Sequence, residues 1–337
     1  MKICVIGAGA IGGLLAARLA CSGQSLSILA RGATLAALRA NGLILEESDG
    51  SRLHAQVVVS DRPDELGVQD VIILGVKAHQ VASVTGALPA LRKPETIIIP
   101  AQNGIPWWYF HKYGGALEGR TLESVDRDGQ IARAIPAECV LATVVYPAAE
   151  ILAPGVIRHI EGSRFSLAEL DGTKSARAEM VAQTLRAAGF KAPIVSDVRS
   201  EIWTKLWGNL SFNPISALTH ADLATICRDP GVRALATEMM KEAQRVGEAL
   251  GAQFRVPIEK RLAGAEAVGA HKTSMLQDLE CGRALEIEAL LGAVLELAAM
   301  TQIATPACAI VYSLVKLLDA TVRGQNGRLR VESIATP

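Results

Sequence analysis

The stretch Lys205-Leu206-Trp207-Gly208-Asn209-Leu210-Ser211-Phe212-Asn213 places Lys205, Asn209 and Asn213 four residues apart in succession. On an α-helix those three side chains share one face. Leu206, Trp207, Leu210 and Phe212 fall between them, so a polar stripe would run along a helix otherwise suited to burial. An ammonium on such a stripe is partly stripped of water. Its pKa falls, and it becomes a better proton donor near neutral pH. The plain alternative is a solvated helix face, and spacing alone leaves both readings open.

A second constellation opens the chain. Gly7-Ala8-Gly9-Ala10-Ile11-Gly12 fits G-x-G-x-x-G between an apolar run, Ile3 to Ile6, and a helical pattern. In that context the motif predicts a dinucleotide site. Gly7 permits the tight turn, Gly9 lets backbone approach a pyrophosphate, and Gly12 lets the helix pack against the strand. The helix N-terminus then faces the anion. A tight turn with no ligand is the competing reading. The next strand ends in Arg31 rather than in an acid. A guanidinium there would pair with a 2′-phosphate, which selects NADP (NADPH) over NAD. Lys77 and Asn103 each follow a further strand pattern. Both would stand at the carboxyl edge of the sheet, Lys77 toward the adenosine phosphate and Asn103 toward the nicotinamide ribose; as isolated residues they are ordinary polar loop positions.

The elements that must position these groups can be read from periodicity. Strand runs at 3–6, 26–30, 57–60, 71–76 and 96–101 alternate with helical patterns, which predicts a mostly parallel sheet. The runs 139–146, 156–161 and 164–168 read as an antiparallel extension, with Gly162-Ser163 as a hairpin turn between the last two. Residues 118–134 are polar and read as a surface excursion. A helix follows at 179–188, then a short closing strand at 193–195. From about Val198 the pattern is helical through about Leu318. The expected domains are 1–196, 197–324 and a polar tail at 325–337.

The chain has 337 residues, half of them hydrophobic, with 34 basic and 34 acidic residues. A net charge of zero offers nothing to nucleic acid or to an acidic membrane surface. The richest apolar stretch, 284–300, is interrupted by Glu286, Glu288 and Glu296, so no membrane span is expected. The six cysteines are scattered without metal spacing, and no metal site is expected. They read as reduced, buried thiols of a cytoplasmic protein. The N-terminus runs directly into the first strand, so no signal peptide is expected.

With these motifs in order, GAGAIG, Arg31, VKAHQ, QNG, KLWGNLSFNPISAL, KTSMLQD and GRALEIEALLGAV, the chain resembles the ketopantoate reductase family from the glycine loop to about Leu318. The resemblance implies an α/β N-terminal Rossmann domain, an all-α C-terminal domain and an active site in the cleft between them. It implies Lys205 as catalytic acid and Glu286 beside the reacting group. Asn209, Asn213 and Ser274 would bind substrate, and Gly7 to Gly12, Arg31, Lys77 and Asn103 would bind NADP. The implied reaction is NADPH-dependent reduction of a 2-oxo acid, ketopantoate, in pantothenate synthesis, with a homodimer as a further expectation. A paralogue acting on a bulkier 2-oxo or hydroxy acid and a non-catalytic NADPH sensor are the alternatives.

The sequence also departs from the family pattern. Five of its thirteen aromatics crowd into Trp107–Tyr113, just after Asn103, where they would wall or cover the substrate or pack an interface. Residues 144–155, the segment His220-Ala221-Asp222-Leu223 and His271 are unusual as well, and all would border the substrate.

Overall fold

The computed structural model describes residues 1–332; the last five residues of the expected polar tail lie outside them. The chain divides into two compact units. One comprises Met1–Gln102, Pro106–Thr121 and Asp126–Val198, and the other Asn103–Ile105, Leu122–Val125 and Arg199–Pro337.

The first unit is α/β. Strand β1 (Lys2–Ile6) leads into α1 (Ala10–Cys21), β2 (Ser25–Leu29) and α2 (Gly32–Asn41). Three short strands follow, β3 (Leu43–Glu46), β4 (Arg52–Ala55) and β5 (Val58–Ser60). The short helix α3 (Pro63–Leu66) precedes β6 (Val71–Leu74). Two more short helices, α4 (Val81–Val84) and α5 (Leu88–Leu91), precede β7 (Ile97–Pro100). The parallel sheet runs β5-β2-β1-β6-β7. Its inner strands are continuous apolar runs, CVI in β1 and VIIL in β6, as a sheet buried on both faces requires.

After α6 (Gln130–Ala134) come β8 (Ala142–Val145), β9 (Ala148–Ala153), β10 (Val156–Glu161), β11 (Phe165–Ala168) and α7 (Ala176–Ala187). The hairpin expected at Gly162-Ser163 does not form. Strand β10 pairs with β9 and β3, whereas β11 pairs with β8. The turn at Gly162, φ +77°, passes the chain from one sheet to another. Instead β9 and β10 are joined through Pro154-Gly155 in the four-stranded sheet β4-β3-β10-β9. Residues 193–195 form no strand; Ile194 makes a single bridge to Leu167.

The excursion at 118–134 is not all surface. Leu122, Asp126 and Ile131 are buried, and the Asp126 carboxylate accepts from the N–H groups of Ile131 and Ala132. The aromatic loop is likewise packed inside: Trp107, Trp108, Tyr109 and Phe110 are at most 5 % exposed. Tyr109 and Tyr113 each meet Phe110 edge-on at 5.0 Å between centroids, a favoured aromatic geometry. Their burial identifies these rings as core, not as an open wall or cover.

The second unit is helical: α8 (Val198–Thr219), α9 (Leu223–Arg228), α10 (Pro230–Ala249), α11 (Ile258–Val268), α12 (Ser274–Glu280), α13 (Ala293–Thr301) and α14 (Pro306–Gly324). A π-helical turn, Glu288–Gly292, leads into α13. The unusual segment at 220–223 is a helix joint. Asp222 caps α9 through Thr225 N–H, and Leu223 N–H donates to His271 carbonyl. No described helix is long and apolar enough to cross a membrane.

Candidate active site

The glycine loop of the first unit is built by close approach. Gly7 has φ +91°, and a β-carbon on it would stand 2.6 Å from Val76 Cγ1. A β-carbon on Gly12 would meet the Gly7 carbonyl oxygen at 2.1 Å, and one on Gly75 would meet that same oxygen at 2.5 Å. Gly7, Gly12 and Gly75 therefore pack backbone to backbone, and Gly75 is a support that the motif does not include. At Gly9, the N-cap of α1, no side chain caps the first turn and no acid lies within it. Its N–H groups remain directed at whatever anion the loop holds, and a bare N-terminus on a glycine cradle fits a dinucleotide pyrophosphate.

Arg31 is exposed at the N-cap of α2, two residues beyond β2. Lys77 caps the 3₁₀ turn Ala78–Gln80, its own N–H donating to Gln80 Oε1 at 3.1 Å. Gln102 Nε2 donates to the carbonyls of Leu74 and Val76, at 2.6 and 2.9 Å, and so ties the ends of β6 and β7 together.

Asn103 belongs with the helical unit. The reason is local. Gly104 has φ +88°, and a β-carbon there would lie 2.3 Å from the Ala289 carbonyl oxygen. That oxygen also accepts from Ile105 N–H at 2.8 Å. The Asn-Gly-Ile segment thus docks on the π-helical turn, and only glycine permits the approach. Such turns recur at functional sites. Docked there, Asn103 accepts a hydrogen bond from Lys205 Nζ at 2.5 Å.

Lys205 stands in the middle of α8 among buried Trp203, Leu206 and Trp207. The residue keeps partial solvent access, but protein crowds its ammonium. Desolvation pulls its pKa down to about 7, against the raising effect of the Glu286 carboxylate and with a further lowering from the Arg261 guanidinium. Near neutral pH the group can therefore both hold and release a proton. Glu286 lies two residues before the π-helical turn.

One turn beyond Lys205 comes Asn209, and one turn beyond that comes Asn213, buried, whose Nδ2 lies 3.5 Å from Ser274 Oγ. Ser274 opens α12, which Thr273 caps. The structure thus brings Lys205, Asn103, Glu286, Asn213 and Ser274 into one helical unit, with Asn209 on the same helix; Gly7 to Gly12, Arg31 and Lys77 belong to the other unit. The sequence reading missed Arg261 of α11. Its Nη2 would lie 2.2 Å from a β-carbon on Gly208, a tertiary contact without a local motif. The signal present was Gly208 itself, a glycine inside a long helix.

The chain matches the family description "Ketopantoate reductase PanE/ApbA" over residues 3–172 and its C-terminal counterpart over residues 197–319. It is 52% identical over 325 residues to the 2-dehydropantoate 2-reductase of Mesorhizobium japonicum, covering 96% of this chain and 99% of that one. A solved structure from Ralstonia solanacearum MolK2 is 41% identical, with TM-score 0.91 over 96% of this chain and 98% of that chain. The fold also matches a D-mandelate dehydrogenase solved with NADH and anilino(oxo)acetate, at 22% identity and TM-score 0.81 over 95% of this chain and 99% of that chain. The chain therefore belongs to the ketopantoate reductase family.

Proposed function

We propose that the protein is an NADPH-dependent 2-dehydropantoate 2-reductase of pantothenate synthesis. The observation that carries the reading is the Lys205 ammonium, desolvated inside α8 and held by Asn103, in a chain 52% identical to a relative of that name. When bound, the cofactor supplies a hydride to the C2 ketone carbon.

The chain's residues do the rest. Lys205 donates its proton to the ketone oxygen as negative charge grows there. Asn103 fixes the ammonium so that it need not reorganise. The Glu286 carboxylate favours the protonated, donating form of Lys205. Asn209, Asn213 and Ser274 hold the substrate's polar groups.

The proposal for NADP specifically rests on Arg31, whose exposed guanidinium at the end of β2 suits a 2′-phosphate. Self-association into a homodimer, in the cytoplasm, belongs to the same proposal. It is motivated by Ile310, Leu314 and Leu317, 63%, 51% and 66% exposed along one side of α14; light scattering giving a monomer at micromolar concentration would refute it.

The test of the activity is NADPH oxidation with ketopantoate against a series of 2-oxo acids of increasing bulk. The expected result is preference for ketopantoate, and replacement of Lys205 by Ala lowering turnover by about 10²–10⁴ with NADPH affinity kept. Turnover of only the bulkier acids would overturn the substrate assignment. Full activity without Lys205 would overturn the mechanism.

A further inference from the structure

Gly208 sits in the interior of a 22-residue helix, where glycine is the poorest choice after proline. The contact that explains it is Arg261. A β-carbon at 208 would lie 2.2 Å from Arg261 Nη2, 3.1 Å from its Cζ and 3.2 Å from its Nε. The whole guanidinium lies against the bare Cα of Gly208, so α11 delivers a cation onto the face of α8.

The position of that cation matters. Gly208 is three residues past Lys205, about 4.5 Å along the helix, and Asn209 is its neighbour. In a 2-oxo acid the ketone and the carboxylate are on adjacent carbons. A proton donor for one and a cation for the other must then stand within about one helical turn of each other. Lys205 and Arg261 meet that condition. A planar guanidinium is also the group best matched to a carboxylate, which it can grip with two parallel N–H donors. Desolvated surroundings strengthen such a pair.

We propose that Arg261 is the anchor for the substrate carboxylate, and that Gly208 is glycine so that the anchor can reach it. The inference rests on the 2-oxo acid reading given above. It makes Arg261, from outside the polar stripe, the residue that selects acids over uncharged ketones.

The experiment is calorimetric titration of the NADP⁺-loaded protein with oxamate, a small carboxylate beside a carbonyl. Wild type, R261A, R261K and G208A are compared, with NADP⁺ affinity and Tm measured for each. R261A is expected to weaken oxamate by at least about tenfold, as loss of a charge-assisted pair does, while NADP⁺ affinity stays within about twofold. R261K should recover part of the loss. G208A is the decisive variant: it keeps the charge, displaces the guanidinium, and should weaken oxamate without lowering Tm, since alanine favours the helix. A merely structural arginine would not give that split. Equal oxamate affinity in wild type and R261A, or no oxamate binding by wild type, overturns the proposal. If oxamate binding depends on Arg261 but no 2-oxo acid oxidises NADPH, the anchor stands and the reductase reading falls.

Discussion

At Lys205 stability and chemistry oppose each other. Its pKa of about 7 lies below that of an unfolded lysine, about 10.4. Between these values the unfolded chain binds a proton that the folded chain does not, so stability rises with pH across that window. Reduction runs the other way. On the proposed role of Lys205, the donating ammonium is present below about 7 and lost above it, so kcat/KM should fall as pH rises through about 7, which a pH–rate profile would show. Replacing Lys205 by Met should lower turnover by about 10²–10⁴, as alanine does, yet stabilise the fold below pH 7 by roughly 2–4 kcal/mol, read as a higher Tm; a lower Tm would refute the strain assigned to the buried ammonium. Arg31 makes a separate prediction. A charge-assisted bond contributes about 1.5–3 kcal/mol, so R31A should raise KM for NADPH roughly 10–100-fold and leave KM for NADH nearly unchanged. The glycine loop and the Lys205 stripe were legible because each is a local pattern. Arg261 was not, because its meaning depends on a helix more than fifty residues away.

Among the elements, acids of the helical unit hold other segments by their backbone. Glu242 of α10 is fully buried and accepts from the N–H groups of Ala307 and Cys308, at 2.8 and 2.9 Å. It caps α14 from another helix and faces the positive end of that helix's dipole. E242A should cost about 2–3 kcal/mol, measurable by urea denaturation; a loss under about 0.5 kcal/mol would mean that water replaces it. Glu296 does the same for the N–H groups of Glu123 and Ser124. That grip explains why 118–134, polar in sequence, is partly buried: its polar groups are satisfied by a partner that composition does not reveal. The parallel strands could be read from their apolar runs. The second sheet could not, because the pairing that assembles it, β3 with β10, joins segments more than a hundred residues apart. The apparent hairpin at Gly162-Ser163 was a turn signal without a pairing partner behind it.

For the molecule as a whole, all six cysteines are free thiols, with Cys21 and Cys281 exposed and the other four buried. The expectation of uniformly buried thiols therefore holds only for the four. Burial pushes Cys4 up to about 11 and Cys308 higher still, which suppresses their thiolates. An aromatic disulfide reagent should label two thiols rapidly in the native protein and six after unfolding; four or more rapid labels would contradict the packing. The docking of Asn103–Ile105 on the π-helical turn has a consequence for how the protein can be made. The helical unit is not encoded in one piece: a strip translated a hundred residues earlier completes it. During synthesis that strip must wait for its partner. A fragment containing only the chain after residue 197 would present an Ala289 carbonyl and a Glu296 carboxylate stripped of their early donors, and a lysine without Asn103. Catalytic competence should therefore appear only when both fragments are present together, and neither alone should acquire it.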